Sequence, residues 1–442
     1  MARKWFCVSL SVIVAAALLA GCSGNSPSAG GDSAGGNPSA NDDVSNQKVE
    51  LFVTSYSGMT TEQFDGTYRK YLAQKFPNYT FNFMQQRGSN VRTADMVAAG
   101  TPIDILFEAQ SGLIDGVMAP GLGYDISDLA KKNNVDLNRF EPTALNAMKA
   151  MTGGQLYGLP SSMQVMVTTY NKDVFDKFGA PYPKDGMTWD EALELARKVS
   201  RNVNGVQYFG LVASTGHILK LSPFSLPYVD VKSNKSTYGD EKWKIILNTV
   251  FRGEATQDGF VEWVRSHNNK VPGRDEFIKD QNIGMYVFFY ETIQFPGIEQ
   301  LNWDFASVPV YKELPGVGVQ NYPNYVLISK TSQNKEAAMK VLAYLTSDEF
   351  QMALSRSGIV SSLSSDNIKR ALGQDYPKKV NWGAVYYNKF AEQPPKGRYE
   401  NIAEKQLSDL IPKFIVGDMD VNTVLRTAQD AADKAIAAEM AK

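Results

Sequence analysis

The chain has 442 residues, with 45 Lys and Arg against 47 Asp and Glu and a formal net charge of −2. That balance excludes the clustered positive field that nucleic-acid binding requires. The only cysteines are Cys7 and Cys22, which leaves the chain beyond residue 22 without a disulfide or a Cys-based metal site.

Arg3 and Lys4 precede an uncharged run from Trp5 to Ala20. A positive start and a short apolar core make residues 1–21 an export signal, too short for a comfortable membrane-crossing helix. The segment Leu19-Ala20-Gly21-Cys22 resembles a bacterial lipobox. The resemblance implies cleavage before Cys22, diacylation of its thiol, and anchorage to the outer face of the cell membrane. Cleavage would leave 43 basic against 47 acidic residues, a net charge of −4. The rest of the 22–47 stretch is rich in Gly, Ser, Asn and Pro. It buries too little to order itself and serves as a tether spanning roughly 25–30 Å. About 395 residues remain, enough for two or three domains.

Alternation of Val49, Leu51 and Val53 predicts a strand over 48–56. Phe64, Tyr68, Tyr71 or Leu72, and Phe76 predict a helix over 61–76, stopped by Pro77. A strand at 79–84 follows. A short helix over 90–100 is expected to bury Val91, Ala94 and Ala98 and to end at Gly100. Residues 102–107 form the next strand. Strand, helix, strand, helix, strand opens a parallel α/β sheet. Residues 154–179 read as two short strands and a helix ending at Gly179. Thr188 and Glu191 form a capping box for a helix that buries Trp189, Ala192, Leu193, Ala196 and Val199. Strands at 303–311 and 322–329 precede helical patterns at 334–358 and about 402–441.

Five stretches in this order resemble the extracellular solute-binding proteins of ABC transporters, in the large sugar-binding group that includes the maltodextrin-binding proteins. They are "MVAAGTPIDILF", "GQLYGLP" with "TTYNKDVFDKFG", "MTWDEALELARKV", "FIKDQNIGMY" and "ISKTSQNKEAAMKVLAYLTSDEFQ". One departs from the family pattern, with Asp280-Gln281-Asn282-Ile283 in place of a Gly-Lys-Ala core. The resemblance covers most of residues 48–442. It implies two α/β lobes with a hinge and a cleft between them. Residues 48–163 and 322–362 would form lobe 1; residues 164–321 and 363–442 would form lobe 2. It also implies a monomer without a cofactor that carries an oligosaccharide to an ABC permease.

A sugar site needs planar aromatic surfaces together with amides or carboxylates. Candidates at strand ends are Tyr56, Glu108 and Gln110. Gln164, Asn321 and Tyr322 fall at the expected lobe crossings. The resemblance implies a stacking aromatic near the end of the aromatic run 286–293, which points to Tyr290 with Glu291 beside it, while Phe288 and Phe289 read as core. Trp382 and Tyr386-Tyr387 offer either a platform or packing. His217 and His267 lack metal-ligand spacing and read as surface or cleft-edge residues. No G-x-S-x-G, H-E-x-x-H, P-loop or EF-hand pattern occurs, so the chain reads as a binding protein and not an enzyme. A glycosidase needs only two carboxylates, which keeps a carbohydrate-active enzyme as one alternative. A receptor for polyamine, peptide or metal chelate is another, the polyamine resting on Glu108 and Glu291.

Overall fold

The computed structural model describes residues 48–441. The expected signal, tether and Cys22 lie outside these residues. β1 (Val49–Ser55) leads into a continuous helical stretch over 61–75, whose Phe64, Tyr68 and Leu72 are buried. β2 (Tyr79–Gln85) and β3 (Ile105–Ala109) then flank β1, both parallel to it. β4 (Gly158–Gln164) completes this part of the first sheet.

The helix between β2 and β3 corrects one expectation. It begins only at Thr93, and Thr93 and Met96 are its buried residues. Val91 precedes it and is 49% exposed, while Ala94 and Ala98 face outward. The later start resets the helical phase, and the larger Met96 joins Ile103 and Leu106 in the core. Its end is as expected. Gly100 has φ +67°, and the Thr101 N–H donates to Met96 O at 2.9 Å, a Schellman closure.

One residue beyond β4, β5 (Met166–Asn171) starts a second sheet. The Thr188 box is formed, with Glu191 N–H on Thr188 Oγ1 at 3.2 Å and Thr188 N–H on Glu191 Oε2 at 2.8 Å. The helix Trp189–Val199 buries all five expected residues and Leu195. β6 (Arg201–Val203) and β7 (Val206–Ala213) form a hairpin, and β8 (Val229–Asp230) with β9 (Lys235–Ser236) a small ribbon. β10 (Ile283–Phe289) and β11 (Trp303–Ser307) complete the second sheet, in the order β11-β5-β10-β7-β6. β12 (Val317–Gln320) is followed by β13 (Tyr322–Ile328), which returns to the first sheet between β3 and β4. The first sheet therefore has the order β2-β1-β3-β13-β4. β14 (Lys389–Ala391) pairs with β12.

Side chains alternate along the first sheet. Leu51, Val53, Ile105, Phe107 and Val326 share one core, and Leu106, Tyr325 and Leu327 another. The second sheet has its own larger core around Trp189, Phe209, Trp243 and Trp303. The pattern at 334–358 resolves into helices Lys335–Leu345 and Asp348–Arg356, the second capped by Ser347. The C-terminal pattern is three helices, Glu400–Ser408, Ile411–Ile415 and Val421–Met440, packed on the second core. The fold is a mixed α/β structure with two lobes.

Candidate functional site

The strand pairing brings one edge of the first sheet together. The C-terminal ends of β1, β3 and β4 and the start of β13 lie there, with Tyr322 opposite Gln164 and Asn324 opposite Ala109. Phe289 of β10 pairs with Met166 at the start of β5, and the Tyr290 N–H donates to Val165 O at 2.9 Å. The turn after β10 is thus pinned beside the first sheet's edge. Strand ends in open α/β sheets are where ligands bind.

A cavity of about 320 Å³ occupies this junction. Ser57, Arg87, Glu108, Ser162, Gln164 and Asn324 line it from the first sheet's side, and Tyr290, Glu291 and Gln294 from the turn after β10. A larger hollow of about 530 Å³ lies at the opposite end of the first sheet. Residues of the second sheet do not contribute to it, so volume does not choose the site; the strand ends do.

Glu108 is 1% exposed. Its Oε1 accepts from Tyr56 N–H at 2.7 Å, and its Oε2 from Ser57 N–H at 2.9 Å and Ser57 Oγ at 2.6 Å. It staples the turn after β1. Burial pushes its pKa up to about 7 against these three hydrogen bonds. A Cβ at Gly112 would stand 2.2 Å from Ser57 Oγ and 2.5 Å from Glu108 Oε2, so the staple requires a glycine there.

Gln164 is half-buried on the cavity wall. Tyr290 is buried, and its hydroxyl accepts from the Val360 N–H at 3.0 Å. Glu291 is half-buried, yet its Oε2 is sealed and has no hydrogen-bond partner. Burial pushes Glu291 well above the usual carboxylate range, against hydrogen bonds from its own backbone and Tyr290.

The other sequence candidates lie elsewhere. Tyr56 is 41% exposed, its ring against Gly116. Gln110 and Tyr322 border a second hollow of about 40 Å³ with Lys220, Lys396, Glu400 and Glu404. Gln110 Nε2 donates to Gln393 Oε1 at 2.8 Å, and Tyr322 OH accepts from Ser111 N–H at 3.2 Å. Burial lowers Lys396 to about 8. Asn321 is fully buried, with its Nδ2 on Thr143 Oγ1 at 2.6 Å and its backbone oxygen accepting from Gln393 Nε2. The structure therefore groups Glu108, Gln164, Tyr290 and Glu291 on one cavity, and sets Tyr56, Gln110, Asn321 and Tyr322 apart from it.

Trp382 packs edge-on against Phe305 and Tyr376, the packing alternative. His217 is wedged between Phe288 and Phe289, and burial with nearby Lys220 lowers it to about 4. His267 stacks on Trp263 at 3.9 Å. Among the described residues no cluster of three His, Cys, Asp or Glu could hold a metal. Sequence reasoning missed Arg87, Ser162, Asn324 and Gln294. Arg87 follows the end of β2, so the strand-end rule that found Glu108 also reaches it. Ser162 and Asn324 sit inside strands and carry no such signal.

The family model for bacterial extracellular solute-binding proteins matches residues 60–352, well over half of the chain. The chain belongs to the bacterial extracellular solute-binding proteins. This solute-binding protein is 25% identical over 315 residues to a binding protein of Brucella abortus (strain 2308), covering 67% of this chain and 72% of the relative. Its fold matches a sugar transporter protein of Rhizobium etli in an open conformation. The TM-score is 0.67 at 18% identity, over 87% of this chain and 98% of the other. It equally matches an ABC substrate-binding protein of Listeria monocytogenes in complex with cycloalternan. There the TM-score is 0.67 at 18% identity, over 88% and 100% of the two chains. Among the described residues no helix is long and apolar enough to cross a membrane.

Proposed function

We propose that this solute-binding protein captures an oligosaccharide in the cavity between its sheets and delivers it to an ABC permease. The observation that carries this reading is the lining of the cavity. It is dominated by Ser, Thr, Gln, Asn and Tyr, with Arg87, Glu108 and Glu291 as its only Arg, Lys, Asp or Glu. Neutral donors and acceptors beside aromatic edges suit a polyhydroxylated ring. The Listeria protein of the same fold is in complex with cycloalternan, which supports the choice of sugar.

A polyamine would need free carboxylates. Glu108 spends both oxygens on its own turn, and Glu291 is held well above the usual carboxylate range. The same commitments leave no ready nucleophile or base for glycoside hydrolysis, so we read the chain as a receptor without catalysis. Gln164, Tyr290 and Glu291 are the ligand contacts of this reading, with Glu108 shaping the wall.

Lobe 1 then comprises residues 48–163 and 322–362, and lobe 2 residues 164–321 and 363–442. The sheet changes at Val165 and Asn321 support these divisions. Ligand touching both lobes favours their closed form. The receptor works as a monomer tethered through acylated Cys22 and segment 22–47. Cys22→Ser should move the protein from the membrane fraction to the medium, and continued retention would remove the anchor from the account.

The reading is tested by a thermal-shift panel on the mature chain. The panel holds maltotriose, mannotriose, cellotriose, a galacturonate trimer, spermidine, a tripeptide and divalent metals. A ligand at about 100 times its Kd stabilises by about 2.7 kcal/mol, a shift of a few degrees. A shift with one sugar class is expected. A shift with spermidine, peptide or metal alone would keep the receptor and overturn the sugar.

A further inference from the structure

We propose that Glu291 reads the ligand as an uncharged carboxylic acid, donating a hydrogen bond to a ligand oxygen and so excluding cationic solutes. This rests on the reading of the cavity as the solute site. The geometry comes from three features. Glu291 lines the cavity on the turn after β10. Among the described residues no Lys, Arg or His forms an ion pair with it. Its Oε2 is sealed from solvent and accepts no hydrogen bond.

An ionised carboxylate carries its charge on both oxygens. A sealed, unpartnered oxygen makes that form costly, and a solute in the cavity would meet only the accessible side of the group. A cation bound there would leave Oε2 unpaired and the charge uncompensated on its buried half. A protonated acid avoids the cost. It places O–H toward the cavity and keeps a weak carbonyl acceptor in the sealed position. The side chains around it fit this state. Tyr290 on the same turn is buried, its hydroxyl accepting from the Val360 N–H and hydrogen-bonded to Glu291, an uncharged neighbour where an ion pair would need a cation. Tyr68, Glu108 and Tyr325 line the same cavity and carry no positive charge. Arg87 lines it as well, outside any ion pair among the described residues, so the cavity offers a positive charge with no free negative one. Neutral or acidic sugars meet donors there; polyamines and amino sugars meet none of the charge they need.

Glutamine imitates a protonated glutamate in shape and keeps a donor, whereas alanine removes it. The parent, Glu291→Gln and Glu291→Ala are titrated calorimetrically with the same sugars and with spermidine, their folding checked by thermal unfolding. A sugar that binds the parent should bind Glu291→Gln within a factor of a few and Glu291→Ala about tenfold more weakly. Equal losses in both variants, or spermidine binding that Glu291→Gln abolishes, would overturn the proposal. Infrared difference spectra of the unliganded parent against Glu291→Gln add a second readout. A protonated-carboxyl C=O band at neutral pH is expected. Its absence would overturn the proposal even where sugars bind. If none of the sugars binds, the sugar reading fails, while the infrared band still decides the state of Glu291.

Discussion

A buried carboxyl has different consequences according to what its oxygens meet. Glu108 meets three donors and holds a turn. Glu254, beside β7 of the second sheet, meets only the Ala213 N–H at 2.6 Å on Oε1, and its Oε2 has no partner. Burial raises its pKa to about 8, opposed by that single backbone bond. The native state therefore keeps a proton that the unfolded chain releases above about pH 4.5. Native protons then outnumber unfolded ones, so stability falls as pH rises from about 4.5 to about 8. The slope from this one group reaches about 1.4 kcal/mol per pH unit. Glu254→Gln has no proton to lose. Its unfolding free energy should fall less steeply than the parent's across that window, as read by urea unfolding at several pH values. Parallel curves for the two proteins would show that Glu254 is ionised in the fold.

At the scale of the element, helix 189–199 shows how closely one layer sits on another. A Cβ on Gly210 of β7 would stand 2.1 Å from Ala196 O and 2.3 Å from Ala196 Cα. The backbone of the helix has no flexible atom to give way. Gly210→Ala should cost about 3 kcal/mol, the upper end for overpacking. Gly239→Ala, whose Cβ would meet only Gln429 Oε1 at 3.7 Å, should stay within about 1 kcal/mol of the parent. Denaturant midpoints for the two variants check this, and similar values would mean that the helix and sheet separate easily. This helix was also the most legible in the sequence, because its capping box and its 3.6-residue stripe point to one phase. The short helix before β3 was misread for the opposite reason. Its N-cap residue, Arg92, is not a capping type, and only Asp95 reaches back to accept from the Arg92 N–H at 3.3 Å; the buried face, Thr93 and Met96, lies two residues on from the expected Val91 and Ala94. The strand-end rule pointed to Glu108 and the resemblance to the 290–291 turn, and both line the one cavity. It did not show that Glu108 would be consumed by Tyr56 and Ser57, because that pairing joins residues about fifty positions apart. Asn321 lies between β12 and β13, and its polarity serves Thr143 and Gln393, a use that a linear pattern does not reveal.

At the scale of the whole molecule, the chain passes from the first sheet to the second at Val165 and returns at Asn321. Gln164 stands at the first of these passages and on the wall of the cavity. A solute held by Gln164 at the end of the first sheet and by the turn after β10 of the second ties the two sheets together only when the lobes are closed. Binding should therefore contract the molecule, seen as a smaller radius of gyration by X-ray scattering with saturating sugar. The most direct test is calorimetric titration of the panel's binding sugar into the parent and into Gln164→Ala, with thermal unfolding to confirm that both are folded. The account expects Gln164→Ala to bind about tenfold more weakly, the loss of one ligand hydrogen bond. Equal affinity in the two folded proteins would contradict it and move the solute out of the cavity between the sheets.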